Sequence, residues 1–343
     1  MTTNRQGPIP AVTAERMRQG AASAVSCLNI AATDRVVIIT DVAREHIAHL
    51  VAEAARAREA TALVLRLEDY GARPMTTFPD DLRADLTAAL PTATYYIATA
   101  QPGEVTMRMG LLPYLSETLK VRHGHMIGIT DALMCDGMCS DYDAVYTLTM
   151  QVYQIVRAAR QIRVTSAKGT DLTATFSPSL RWVPCHGRYH QQGEWGNLPE
   201  GETFTSSENV EGRLVVDLLG DFFSEKYGLL DDPVTFTIEG GQITVIDCAR
   251  ADLREELTRH FYDAENGRRV GEFAIGTLAG LDHLTGNLLQ DEKLPGIHVA
   301  FGNPYPHYTG ADWASSVHVD VIPTRCTITV DGRVIMRDGV FDL

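Results

Sequence analysis

His318 and Asp320 are the residues whose spacing points most directly to metal chemistry. They alternate with apolar residues in the segment SSVHVDVI at positions 315–322. On a strand, residues two positions apart project from the same face, so an imidazole and a carboxylate would stand side by side. Such a pair can share a divalent metal ion. The alternative is a solvated His/Asp face on an edge strand.

Two more polar residues interrupt apolar segments of the C-terminal half. Glu272 lies in VGEFAIGT and His298 in GIHVAFG. A carboxylate in such a segment is expected to be buried, and a buried charge needs a partner, of which a metal ion is one. A lone histidine there is often a hydrogen-bonded core residue, so a ligand role for His298 is one of two interpretations.

Glu202, Glu292 and Tyr305 have less specific surroundings. Glu202 follows a loop of turn residues, Glu292 precedes a lysine and fits a solvated position equally well, and Tyr305 lies between two prolines as packed loop aromatics do. Taken together, the carboxylates, histidines and tyrosine form an oxygen-rich donor set with nitrogen, which suits Zn, Mn, Co or Fe(II). Several carboxylates also permit two ions, and a paired site can activate a water and polarise a carbonyl group.

The elements that must position these residues follow one pattern up to about residue 160. Strand-like segments there alternate with helical ones, which predicts a parallel α/β sheet. The strand-like segments are 34–41, 62–67, 94–98 and 125–130, and the helical ones are 12–30, 42–58, 81–90 and 110–119. Thr40-Asp41-Val42 stands after the first strand where a dinucleotide site would have GxGxxG, so nucleotide binding has little support.

Beyond residue 160 the pattern changes to short strands with glycine turns. Segments 161–180, 212–218, 233–248 and 326–341 are strand-like, and residues 252–262 are helical. Gly240-Gly241 and Asp331-Gly332 predict tight hairpins. The predicted fold class is therefore α/β. A parallel α/β domain over residues 1–160 precedes an α+β domain over residues 161–343, whose antiparallel sheet carries the metal site.

The composition of the chain limits which kinds of binding partner are expected. The 343 residues carry a net charge of −14, a charge that repels phosphate backbones, so we expect no nucleic-acid partner. No apolar run approaches the roughly 20 residues that span a bilayer, so we expect no membrane partner and a cytoplasmic location. Six cysteines are too few for a disulfide scaffold.

The order of motifs over residues 160–325 resembles the aminopeptidase T family of two-metal peptidases. The matching stretches are NLPEGETFTS with its following EGR, VGEFAIGT, DEKLPGIHVAFGNPY, SSVHVD and the GTDL at 169–172. The resemblance implies a homodimer and a bridging role for Glu272 between two ions. It implies metal ligands at Glu202, Glu272, His298, Tyr305, His318 and Asp320.

The chain also resembles the iron-dependent 2,5-dihydroxypyridine dioxygenases, which share its length, a SAKG-type segment and the terminal HxD. By this resemblance, the single-iron site of those enzymes takes a further histidine from the stretch that corresponds to VGEFAIGT. Ala274 stands at that place here, and the next histidine is His283. Those enzymes also lack the equivalents of Glu202 and His298.

Three hypotheses follow. The first is a hydrolase of an amide or peptide bond in a small molecule or short peptide, with two divalent ions (Zn, Co or Mn) and Glu292 as proton shuttle. The second is an Fe(II)-dependent ring-opening dioxygenase of a hydroxylated pyridine, with His318, Asp320 and either His298 or His283 as ligands. The third is a non-catalytic binding module, against which the cost of a buried carboxylate cluster without cations argues.

Overall fold

A computed structural model describes residues 9–343 of the chain. The helices are α1 (Ala14–Cys27), α2 (Glu45–Arg56), α3 (Asp80–Ala89), α4 (Leu111–Pro113), α5 (Asp131–Met134), α6 (Tyr142–Val156), α7 (Phe222–Tyr227), α8 (Ala251–Tyr262), α9 (Leu288–Asp291) and α10 (Pro306–Thr309). No helix among these residues is long and apolar enough to cross a membrane.

The strands form three sheets. They are β1 (Arg35–Thr40), β2 (Thr61–Arg66), β3 (Ala93–Ala98), β4 (Arg122–Ile127), β5 (Gln161–Ser166), β6 (Asp171–Thr175), β7 (Val183–Cys185), β8 (Trp195–Asn197), β9 (Glu202–Thr205), β10 (Asn209–Val216), β11 (Leu218–Leu219), β12 (Val234–Glu239), β13 (Gln242–Asp247), β14 (Val270–Gly276), β15 (Gly296–Gly302), β16 (His318–Ile322), β17 (Cys326–Val330), β18 (Arg333–Arg337) and β19 (Val340–Phe341).

The parallel-sheet unit comprises residues 9–146 and Gly187–Glu200. Its five strands run parallel in the order β2-β1-β3-β4-β8. β1 and β3 are almost entirely buried, as continuous apolar runs predict for the central strands of a parallel sheet. The predicted parallel α/β architecture is confirmed. The last strand, β8, comes from a segment that the sequence did not indicate.

Asp41 shows what replaces a phosphate loop at the end of β1. Its carboxylate accepts hydrogen bonds from the backbone N–H of Thr99 and of Arg44, each at 2.8 Å, and pairs with the buried guanidinium of Arg73. Hydrogen-bond donors of the chain itself therefore satisfy the Asp41 carboxylate at the end of β1.

The antiparallel unit comprises Thr147–His186 and Gly201–Leu343. It holds an eight-stranded sheet in the order β13-β12-β10-β6-β5-β17-β18-β19 and a six-stranded sheet in the order β11-β16-β15-β14-β9-β7. One apolar core packs between the two sheets, where the rings of Phe236 and Phe301 lie 5.1 Å apart. The predicted α+β architecture with antiparallel sheet is confirmed. A domain boundary after residue 160 stays a prediction.

Both predicted hairpins are present. Gly240 and Gly241 have φ values of 58° and 71°, and Asp331 and Gly332 have 46° and 86°. Two successive residues with positive φ match the right-handed twist of the flanking strands, which is why glycine and aspartate are favoured there.

Candidate metal centre

The candidate site lies on one face of the six-stranded sheet. β14 and β15 each turn one side toward the apolar core through Phe273, Ile275, Val299 and Phe301. Their other side carries Glu272 and His298, because successive side chains alternate across a strand. On the neighbouring strand β16, His318 and Asp320 share this second side, as their spacing predicts.

A β-bulge turns Glu272 onto the site face. Val270 pairs with Phe301 while Glu272 pairs with Ala300, so Gly271 is the extra residue of the bulge. Regular alternation would have placed Val270 and Glu272 on the same side, whereas Val270 lies in the core. Glycine is required at 271, because a Cβ there would lie 2.2 Å from the carbonyl oxygen of Gly302.

Small residues leave room in the middle of the face. Ala274 pairs with His298, and Ala300 pairs with both Glu272 and Asp320. The ligand-type side chains therefore surround positions that carry only a methyl group. Ala274 is also the position at which the dioxygenase resemblance calls for a histidine.

The side chains of β9, β14, β15 and β16 meet around the two histidines. His298 Nε2 lies 3.3 Å from Glu272 Oε1 and 3.4 Å from Glu202 Oε2. His318 Nε2 lies 3.6 Å from Glu272 Oε2 and 3.7 Å from Asp320 Oδ2. The two oxygens of Glu272 thus face different histidines, and His298 Nε2 also lies 3.8 Å from Asp320 Oδ1.

The acidic surroundings shift the pKa of both histidines upward. Burial by itself lowers the pKa of His298, but the hydrogen bond with Glu272 and the charges of Glu202 and Asp320 raise it to about 9. Burial acts in the same direction on His318, and Asp320 is the main group that raises its pKa to about 10. Both shifts show that this cluster of carboxylates strongly favours positive charge.

The carboxylates respond differently to the same environment. Burial raises the pKa of Glu272, and the two histidines only partly offset this. Burial also acts to raise the pKa of Asp320, but His318 outweighs it and holds the value at about 2. The pKa of Glu292 rises to about 8 through burial, against the lowering effect of Lys293.

Tyr305 and Glu292 lie beside this cluster. Tyr305 follows β15 in the left-handed region, with a φ of 50°, and its ring centroid lies 4.5 Å from that of His318. The residue is 39% exposed overall, while burial of its hydroxyl and the nearby carboxylates raise the pKa well above its usual value. Glu292 directly follows α9, and its Oε1 lies 2.8 Å from Lys293 Nζ.

Lys293 is the site residue that sequence reasoning missed. Its Nζ lies 2.8 Å from Glu202 Oε1, and its side chain is only 2% exposed. The sequence Asp-Glu-Lys resembles a solvated charge run, but Asp291 is also buried and accepts hydrogen bonds from the backbone of Thr285 and Gly286. In the sequence, the apolar segment that directly follows Lys293 was the signal that could have indicated its burial.

The donor set fits a divalent cation. Ligand atoms of Glu202, Glu272 and His298 all lie within 4.8 Å of one another. Glu202 Oε2 is buried and has no hydrogen-bond partner among the described residues. His318 Nδ1 lies 2.8 Å from the carbonyl oxygen of Asn303, so a neutral ring carries its proton there and presents the Nε2 lone pair to the site.

All seven predicted site residues therefore lie in or beside one cluster. Their roles as metal ligands and, for Glu292, as a proton shuttle stay predictions. His283, the alternative third iron ligand, places Nδ1 2.9 Å from Asp282 Oδ1.

Comparison with known proteins places the chain in a family. The family model described as 2,5-dihydroxypyridine 5,6-dioxygenase matches residues 18–276. The chain belongs to this dioxygenase family. The match includes Glu202 and Glu272, while His298, Tyr305, His318 and Asp320 lie beyond its end. No curated protein matches the sequence significantly.

Solved structures show the same fold in two kinds of protein. The 2,5-dihydroxypyridine dioxygenase from Pseudomonas putida KT2440 is 16% identical, with a TM-score of 0.70 over 97% of this chain and 98% of its own. Wild-type AmpT from Thermus thermophilus is 17% identical, with a TM-score of 0.68 over 96% of this chain and 100% of its own. Both resemblances stated from sequence motifs are thus confirmed at the level of fold, and the dioxygenase family membership indicates an enzyme.

Proposed function

We propose that this protein is a metal-dependent hydrolase of an amide or peptide bond that uses two divalent ions, either Zn, Co or Mn. The observation that carries the proposal is the position of Glu272 between the two histidines. Each of its oxygens faces a different imidazole, at 3.3 Å and 3.6 Å. A carboxylate in this position would be able to help hold two cations and offset the repulsion between them.

The residues of the cluster have two different proposed roles, which are metal binding and proton transfer. When bound, the ions would acidify a shared water and polarise the carbonyl group of the substrate. The residues that would hold them are Glu202, Glu272, His298, Tyr305, His318 and Asp320. Glu292, whose Oε1 is held by Lys293 Nζ, is the residue that we assign to take a proton from the water and pass it to the leaving nitrogen.

Ala274 favours the hydrolase over the dioxygenase. It pairs with His298 in the middle of the site face. A histidine at 274 would belong to that face, and by resemblance it would complete a single-iron site. The sequence has a methyl group there and keeps Glu202 and His298, which belong to the two-ion set.

Metal content and activity test this proposal together. Protein purified without chelator should hold close to two ions per chain and release the amine from short aminoacyl amides. We expect chelation to remove both the bound metal and the hydrolytic activity. Added Zn²⁺, Co²⁺ or Mn²⁺ should restore both. One iron per chain with no hydrolysis of such amides would contradict it.

A second candidate function has one observation in its favour, which is the family match over residues 18–276. In this version the protein is an Fe(II)-dependent dioxygenase that opens a hydroxylated pyridine ring. His318, Asp320 and His298 would supply two histidines and one carboxylate to a single ion. Oxygen consumption with 2,5-dihydroxypyridine after anaerobic loading of Fe(II) supports this version, and its absence across related hydroxypyridines leaves the hydrolase.

For the assembly we propose a cytoplasmic homodimer without nucleic-acid or membrane partners, acting on a small molecule or short peptide. Sedimentation equilibrium should give twice the chain mass of 37.6 kDa.

A further inference from the structure

Lys293 is a buried cation inside an acidic cluster. Its Nζ lies 2.8 Å from Glu202 Oε1 and 2.8 Å from Glu292 Oε1. A buried ammonium group is costly unless carboxylates pair with it, and here two do. The pairing joins one residue of the proposed ligand set to the proposed proton shuttle.

Backbone packing holds the lysine in this place. Gly276 pairs with Glu202 across β14 and β9, and it also forms a bridge with Pro295. A Cβ at 276 would lie 2.1 Å from the carbonyl oxygen of Leu294. Because glycine permits this approach, the segment that carries Lys293 lies directly against the end of β14, where Gly276 pairs with Glu202.

The two carboxylate oxygens of Glu202 have different neighbours. Oε1 faces the ammonium group, whereas Oε2 lies 3.4 Å from His298 Nε2. Oε2 is also the buried oxygen without a hydrogen-bond partner within the described part of the chain. Glu202 thus has one oxygen to offer a metal ion, and the other belongs to a positive charge of the protein.

We propose that Lys293 competes with a divalent cation for Glu202 and thereby weakens the binding of the ion that Glu202 holds. The inference rests on the metal site proposed above. An ammonium group and a metal ion on one carboxylate repel each other strongly in a buried environment. Lys293 therefore keeps this ion exchangeable, while in metal-free protein it neutralises carboxylates that would otherwise repel.

Calorimetric titration of the chelator-treated full chain with Mn²⁺ alone, repeated with Zn²⁺ alone, tests this. Lys293→Met keeps the length of the side chain and removes its charge. We expect the weaker ion to bind at least about tenfold more tightly than in the parent protein. Lys293→Arg keeps the charge and is the matched control, with an affinity within about threefold of the parent.

Thermal unfolding separates this role from a structural one. Metal-free Lys293→Met should melt below the parent, and Mn²⁺ should raise its melting temperature by more than it raises that of the parent. A merely structural lysine would lower the melting temperature equally with and without Mn²⁺. If the metal-free variant does not fold, it is purified in Mn²⁺ and its release of Mn²⁺ to excess chelator should be at least about tenfold slower than from the parent.

The possible failures are distinct. Unchanged or weaker ion binding by Lys293→Met, or equal tightening by Lys293→Arg, overturns the inference while the metal site stands. A parent protein that binds neither Mn²⁺ nor Zn²⁺ overturns both the inference and the proposed two-ion function.

Discussion

Glu272 is the residue on which the two candidate chemistries differ most. Two cations held a few ångströms apart repel each other, and a carboxylate between them offsets that repulsion. A single ion can instead be held by His318 and Asp320 with one further histidine. The charge of Glu272 therefore matters far more to a two-ion site than to a one-ion site.

Glu272→Gln should lose one of two ions because it keeps the size of the side chain and removes its charge. We expect metal content to fall from about two ions per chain to one or fewer, and hydrolysis to fall at least a hundredfold. Elemental analysis and amide hydrolysis measure both. Glu255→Gln, on an exposed glutamate of α8, is the control and should match the parent.

His318→Ala is the variant to compare with Glu272→Gln, because both candidate mechanisms need His318 as a metal ligand. It should lose metal and activity whichever chemistry holds. Full metal content and activity in Glu272→Gln beside their loss in His318→Ala would rule out the two-ion site and favour the single-iron one.

His125 in the parallel-sheet unit provides a pH-dependent contribution to stability. Its Nδ1 lies 3.2 Å from His123 Nε2, and its ring stacks on Tyr96. Burial lowers the pKa of His125 to about 4, below its usual value near 6.5. Because the folded-state pKa is depressed, the neutral ring stabilises the fold fully above pH 6.5, and this stability is lost as the pH falls toward 4.

The difference in stability between the parent protein and His125→Phe should therefore become smaller as the pH falls. We expect the free energy of unfolding of the parent to exceed that of the variant at pH 7, and the difference to shrink by up to about 3 kcal/mol between pH 6.5 and pH 4. Urea unfolding at each pH measures it. Val245→Thr, at an exposed position of β13 that carries no ionisable group in either protein, should show no such trend relative to the parent.

At the level of elements, two glycines of β14 shape the site. Gly271 forms the bulge that turns Glu272 away from the core. Gly276 lets the segment before β15 lie against the end of the strand, where Lys293 meets Glu202. Neither glycine binds anything itself, yet each decides which side chains meet.

Gly276→Ala should disturb this approach, because the new Cβ would lie 2.1 Å from the carbonyl oxygen of Leu294. We expect a loss of about 1–3 kcal/mol in the free energy of unfolding. Gly296→Ala is the matched control on β15, since its nearest neighbour would be 3.7 Å away. Equal stability of the two variants in urea would show that the close approach at 276 is not a constraint.

For the whole molecule, the acidic cluster predicts that metal ions stabilise the fold. Cations that bind only the native state shift unfolding by about 2.7 kcal/mol at a hundredfold excess over Kd. Chelation should thus lower the melting temperature by roughly 4 °C for each ion removed, as scanning calorimetry can measure. His318→Ala should lose most of this shift, whereas a non-catalytic module without bound metal would melt at the same temperature with and without chelator.

Much of this molecule was predictable because its signals are local. Continuous apolar runs indicated the central strands of the parallel sheet, and paired turn residues indicated the two hairpins. The spacing of His318 and Asp320 placed them on one side of β16, since alternation is a property of the strand alone. Motif resemblance then indicated which distant residues to consider together.

Long-range pairing decided the rest. The side to which Glu272 points depends on a bulge, and a bulge exists only in relation to the partner strand β15. Lys293 looked like part of a solvated charge run, and its burial follows from how closely the segment before β15 approaches Gly276. Sequence alone determined which side chains were available for metal chemistry, but register and backbone packing determined which of them meet, because those depend on residues far apart in the chain.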